Sequence, residues 1–168
     1  MGHRSTWLEL CRPEDFRPVE LPSAVALGRL RGAALERARR LWTEVGRGFW
    51  SEREEWPAAR WRSHLDAAST WFGAATADGA EIGFFELVCD GGEAKLEGFG
   101  LLPGWRGRGL GGGLLSAATR QGFSLGARRI WLHTATDDHP HALPNYRARG
   151  YRVFREEPLA HPMKGGET

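Results

Sequence analysis

The sequence is short of cysteine, of long apolar runs and of surplus charge. Its two cysteines, Cys11 and Cys89, lie far apart, which excludes the dense disulfide framework of a small secreted domain. Cys89 closes an apolar run and reads as a buried free thiol. No stretch reaches the ~20 apolar residues that span a bilayer. The start, Met1-Gly2-His3-Arg4-Ser5-Thr6, lacks the apolar centre of a signal peptide. A reducing, cytoplasmic setting without a membrane partner is therefore expected. Basic residues exceed acidic ones by 23 − 21 = 2, too small a surplus for a dedicated nucleic-acid binder. A chain of 168 residues has room for one domain with a proper core, here residues 1–168, and not comfortably for two.

Several things are present in excess. Eight tryptophans are many for this length, and six of them (Trp7, Trp42, Trp50, Trp56, Trp61, Trp71) precede residue 72. Arginines cluster at 37, 39 and 40, at 106 and 108, and at 147, 149 and 152. The first cluster reads as a solvated helix face. The second falls inside a glycine-rich turn, where solvation is a poorer explanation.

Apolar spacing predicts a helix over 33–45, through Leu35, Ala38, Leu41, Trp42 and Val45, and a second over 57–68, where Pro57 suits a first turn. Trp7 to Leu10 reads as a short strand. Segments 71–76 and 81–88 read as a hairpin around Asp78-Gly79. A third strand over 94–102 runs into the glycine turn, and a helix over 109–125 follows, stopped by Gly126. A strand over 129–134, a short helix over 141–149 stopped by Gly150, a strand over 151–155 and an irregular tail after Pro158 complete the chain. An antiparallel meander followed by strand–helix–strand–helix–strand predicts a mixed α/β sheet with helices on both faces.

The turn Arg106-Gly107-Arg108-Gly109-Leu110-Gly111-Gly112-Gly113 packs five glycines and two arginines into eight residues. A helix start carries unpaired N–H groups and the positive end of the helix dipole, so it attracts phosphate. Glycines let the backbone close on the anion and adopt positive φ. The chemistry is that of a pyrophosphate cradle. A P-loop needs Gly-Lys-Ser or Gly-Lys-Thr, which is absent. A dinucleotide fingerprint needs an acidic residue about 20 positions on, where Arg128, Arg129 and Ile130 stand.

Two segments together resemble the GCN5-related N-acetyltransferase (GNAT) superfamily. Leu101-Leu102-Pro103 followed by Arg106-Gly107-Arg108-Gly109-Leu110-Gly111 is similar to its cofactor motif. Ala142-Leu143-Pro144-Asn145-Tyr146, with Gly150-Tyr151 after it, is similar to its second motif. The resemblance covers roughly 70–156. It implies an acyl-CoA N-acyltransferase fold, with a mostly antiparallel sheet splayed where the strand at 94–102 parts from that at 129–134. It implies that pantetheine pairs with backbone groups of Leu101 and Leu102, and that the pyrophosphate sits on the amides from Gly107 to Gly111, flanked by Arg106, Arg108 and Leu110. Tyr146 falls on the family's general acid, which protonates the leaving thiolate. The activity implied is transfer of an acetyl group from acetyl-CoA to a primary amine of a small molecule or peptide, by direct attack. The family also admits homodimers, which no feature of the sequence specifies.

Two departures stand out. The position seven before the tyrosine, often asparagine in the family, is His139. The glutamate that some members carry before the cofactor turn is replaced by Lys95. Glu97, two residues on and on the same face barring a bulge, either reaches the cleft as general base or serves as a solvated partner for Lys95. Glu86 and His133 are the alternatives. No metal is expected: His133, Asp137, Asp138, His139 and His141 match no helical ligand spacing. The tryptophans of the first third either fill core or form an acceptor wall that receives a cationic amine by cation–π contact. A non-catalytic acyl-CoA-binding module is the competing function.

Overall fold

The computed structural model describes residues 3–135 and 139–158; Asp137, Asp138 and the tail beyond Pro158 lie outside the described residues. Seven strands form one sheet: β1 (Arg4–Leu10), β2 (Val25–Leu30), β3 (Thr70–Ala77), β4 (Ala80–Asp90), β5 (Glu93–Leu101), β6 (Arg129–Ala135) and β7 (Arg152–Pro158). Their spatial order is β2-β3-β4-β5-β6-β1-β7. β5 and β6 run parallel, and every other neighbouring pair is antiparallel. The helices are α1 (Leu35–Gly46), α2 (Ala58–Asp66), α3 (Gly111–Ser124) and α4 (Ala142–Ala148). This is the mixed α/β architecture that the alternation of elements predicts.

Each face of the sheet carries its own core, because successive strand residues point opposite ways. Phe84 and Phe85, neighbours on β4, illustrate the division. Phe84 packs with Leu41, Trp42, Val45, Trp61 and Leu65 of α1 and α2. Phe85 packs with Leu114, Leu115 and Ala118 of α3. The α1 stripe read from the sequence is all buried. Gly98 lets α1 settle on β5, since a Cβ there would stand 2.5 Å from the Trp42 ring.

Three elements differ from the expectation. β2 is an edge strand, bonded to β3 and largely exposed; without a buried face it lacks the alternation that would reveal it. β1 starts at Arg4 rather than Trp7 and lies between β6 and β7, antiparallel to both. α3 begins at Gly111 rather than 109, because Gly107 and Gly109 both take φ +75.

Gly150 ends α4 at φ +103, and a Cβ there would stand 2.0 Å from the carbonyl oxygen of Asp15. Gly150→Ala is therefore expected to cost at least about 1–3 kcal/mol in backbone strain alone. A thermal melt should show Tm lowered by several degrees, since each kcal/mol moves Tm by roughly 2–4 °C in a domain of this size.

Candidate active site

β5 and β6 pair only over Glu93–Lys95 with Arg129–Trp131. Beyond Lys95 the two strands separate. A bulge marks the parting: Glu86 faces Gly98 while Leu87 faces Leu96, so Glu97 has no partner on β4 and the strand bends there. The remainder of β5 offers its free edge to a cavity of about 600 Å³, within the size range of small-molecule sites, lined by Phe99, Gly100, Leu101, Gly107, Gly109 and the first turn of α3.

The backbone decides which groups face that cavity. The Leu102 N–H donates to the Ile82 carbonyl at 2.8 Å, so it points at β4. By strand alternation the N–H and C=O of Leu101 and Phe99 point into the cleft. Leu102 itself packs with the α1 core rather than lining the cavity. The pair open to an added strand is thus Phe99 and Leu101, which corrects the expectation of Leu101 and Leu102.

At the far end lies the cradle. α3 has no side-chain cap, and its first backbone bond runs from the Leu114 N–H to the Leu110 carbonyl at 3.0 Å. The N–H groups of Gly111, Gly112 and Gly113 therefore precede the ladder, as helix-start donors do. Arg106 lines the cavity but donates to the Val45 carbonyl at 3.1 Å, and burial draws its pKa down. Arg108 stands outside, over the Trp105 ring. Two residues missed in the sequence complete the cradle from α4 and its end. Asn145 donates to the Gly111 carbonyl at 3.1 Å, tying α4 to α3. Arg149 lays its guanidinium against Gly112, and its buried Nε has no hydrogen-bond partner among the described residues. In the sequence both are hidden in the polar face of a short helix.

A second cavity of about 660 Å³ meets the first at Phe49, Trp50, Phe99 and Tyr146. Tyr146 is 8% exposed and lines both. His139 lines the first, edge-on to Phe49; burial, then the Arg106 and His141 charges, lower its pKa. Glu97 and His133 line the second. The Glu97 carboxylate stands 3.1 Å from Lys95 Nζ, and His133 stacks on Trp7.

Glu86 lies beneath this second cavity, fully buried. Arg53 grips its carboxylate with both terminal nitrogens, and His64 Nε2 approaches Oε2 at 2.9 Å. Burial pushes the carboxyl up, but the bonds from His64 and Arg53 and the Arg53 charge outweigh it and hold it below the usual carboxylate range. Arg53 is itself sandwiched over Trp42 and Trp56, at 3.8 and 4.5 Å from the ring centroids. The cation place among the tryptophans is thus filled by the protein's own arginine. Arg53 sits between Glu52 and the Glu54-Glu55 pair, and nothing in that run marks its side chain as buried, so the sequence conceals it. His64 is more legible, since it falls one turn from Trp61 on the buried stripe of α2.

Among the described residues no group of three or more His, Cys, Asp or Glu could hold a metal, and no helix is long and apolar enough to cross a membrane. Both cysteines are free, Cys11 exposed and Cys89 half-buried.

A profile of the Acetyltransferase (GNAT) family matches residues 35–151, well over half the chain. The chain belongs to the GNAT acetyltransferase family. A comparison with curated proteins finds no match. Solved structures share the fold. A GCN5-related N-acetyltransferase from Kribbella flavida is 22% identical, with a TM-score of 0.63 over 90% of this chain and 56% of that one. One from Sphaerobacter thermophilus is 18% identical, with a TM-score of 0.70 over 92% of this chain and 50% of that one. This chain thus spans about half the length of these two. AAC(6')-Iy, solved with the bisubstrate analogue CoA-S-monomethyl-acetylneamine, is 24% identical, with a TM-score of 0.63 over 84% of this chain and 99% of that one.

Breaking a buried ion pair from one side strands the other charge. Arg53→Met is expected to cost about 3–5 kcal/mol, read as a fall in Tm of roughly 10 °C. In the wild-type chain, the depressed Glu86 pKa stabilises the fold above the ordinary carboxylate value. That stability is lost as pH falls through the depressed value. Melts at decreasing pH should show a shallower acid loss for Glu86→Gln.

Proposed function

We propose that this chain transfers an acetyl group from acetyl-CoA to a primary amine of a small molecule or peptide, in the cytoplasm. The observation that carries this reading is the meeting of two cavities at Tyr146, one of which ends in an uncapped, glycine-lined helix start. Acetyl-CoA supplies the activated thioester. The residues present fit it: the Phe99–Leu101 edge for pantetheine, the Gly107–Gly113 backbone for the pyrophosphate, and Arg149 for its charge. Leu110, buried at the N-cap of α3, fixes the direction of those amides.

Tyr146, at the junction, gives its phenolic proton to the departing thiolate. The free β5 edge polarises the acyl carbonyl through backbone N–H groups. The second cavity holds the amine. Glu97 and His64 are its candidate proton acceptors, and Glu97 shares its carboxylate with Lys95. That ion pair also favours the second reading, a module that binds acyl-CoA without turnover.

Acetyl-CoA at 100 times its Kd should add about 2.7 kcal/mol of stability, or roughly 5–10 °C in Tm, and ATP or NAD should add far less. Thiol release with a panel of amines then separates enzyme from module. Tyr146→Phe should lower kcat by about 10²-fold or more with acetyl-CoA affinity unchanged. Undiminished turnover in that variant would remove Tyr146 from the mechanism, and binding without any thiol release would leave the module.

A further inference from the structure

We propose that His64, oriented by the buried Glu86 carboxylate, is the base that takes the proton from the acceptor ammonium. The inference rests on the acetyltransferase reading above and adds a residue to it.

A carboxylate taken fully out of water is costly, and an apolar side chain of the same size is often as stable. The chain nonetheless places Glu86 with 0% exposure inside a tryptophan-rich core. Arg53 neutralises it. His64 is the member of the trio that reaches outward, with 20% of its side chain exposed and its ring on the wall of the second cavity. An ionised carboxylate can only accept, so Nε2 carries the hydrogen of that 2.9 Å bond. The neutral ring then has its lone pair on Nδ1, and Nδ1 takes part in no hydrogen bond among the described residues. A buried carboxylate thus fixes the tautomer and orients the ring, the arrangement of a general base.

Position agrees with this role. Glu86 stands opposite Gly98, next to the unpaired Glu97 where β5 bends away. The trio is thus one strand from the edge that leads to Tyr146. The other charges around the ring do not supply the same function. Arg60, one turn earlier on α2, lies over Trp56, and Arg53 is held by Glu86. Across the cavity Lys95 and Glu97 neutralise each other, while Glu52, on the loop before α2, bonds the Ser51 N–H. His133, on β6, is stacked on Trp7.

The proton balance closes. An N–H bond of the ammonium breaks as the Nδ1–H bond forms, leaving a neutral amine. The amine nitrogen bonds the acyl carbon, and the C–S bond breaks with its electron pair on sulfur. Sulfur takes the Tyr146 proton, and the nitrogen's surplus proton restores the tyrosine through water. One proton is left on imidazole and is returned to solvent.

The test compares two small amines in thiol release from acetyl-CoA. Ethylamine is an ammonium ion at neutral pH and needs the base, whereas hydroxylamine is already neutral and does not. His64→Gln keeps an N–H for Glu86 but cannot take the proton. It should lose about 10²-fold or more in ethylamine kcat while hydroxylamine turnover and the acetyl-CoA thermal shift stay near wild type. Added imidazole should restore ethylamine turnover to His64→Ala, and Glu97→Gln should lose much less. Equal loss with both amines in His64→Gln, no loss with either, or a larger loss in Glu97→Gln overturns the proposal while leaving the acetyltransferase reading in place. Binding of acetyl-CoA with no turnover of any amine overturns that reading, and this one with it. Independently of turnover, ¹⁵N spectra of the whole chain should show neutral His64 as the Nε2–H form; the Nδ1–H form would refute the assignment.

Discussion

The parting of β5 from β6 is the constraint on which the rest of the site depends. Three residues on each strand are paired, and then the ladder stops inside the sheet rather than at its rim. An unpaired edge in the middle of a sheet is a standing liability, open to any strand that can reach it. Here it is screened by the β5–α3 turn on one side and α4 on the other. The bulge at Glu97 sets where the opening begins. It also changes phase along β5, so that Ala94 and Leu96, then Phe99 and Leu101, all serve the α3 face. Without that shift Phe99 and Leu101 would turn into the α1 core and their positions would no longer border the cavity.

The glycine-rich half of this arrangement was readable in the sequence and the half around Glu86 much less so, for a physical reason. A cradle built from backbone must be written in glycine, and glycines in a strand-to-helix turn are visible without coordinates. The same holds for the α1 stripe and the Asp78-Gly79 hairpin, which are local. What escaped was non-local. Arg53 and Glu86 are 33 positions apart, and nothing in an acidic run around Arg53 announces that its guanidinium turns inward. β2 escaped because it is an exposed edge strand. The choice between Leu101 and Leu102 depended on strand phase, which a single Leu102–Ile82 hydrogen bond decides.

Between the two roles open to the tryptophans, one observation decides. Aromatics beside an acceptor site invite a cation–π cage for the incoming amine. Trp42, Trp56 and Trp61 do surround a cation, but it is Arg53. Their faces are already used, and their function is to shield the Arg53–Glu86 pair from water, where the attraction between the two charges would be weakened. On the proposed reading the acceptor therefore meets the outer rim of this cluster, where Glu52, Arg60, His64 and the Lys95–Glu97 pair border the cavity, and not the ring faces.

Direct transfer from thioester to amine needs a proton removed on one side of the reacting carbon and delivered on the other. Tyr146 and His64 both border the second cavity, but they reach it from different elements. Tyr146 stands on α4, which is tied to the cradle through Asn145, whereas His64 stands on α2 in the core of the opposite face. The sheet lies between these two helices, and residues of both reach the second cavity, beside the gap where β5 has left β6. On the proposed reading, the strand separation that opens the cofactor cavity thus also lets the acid and the base approach from opposite faces of the sheet.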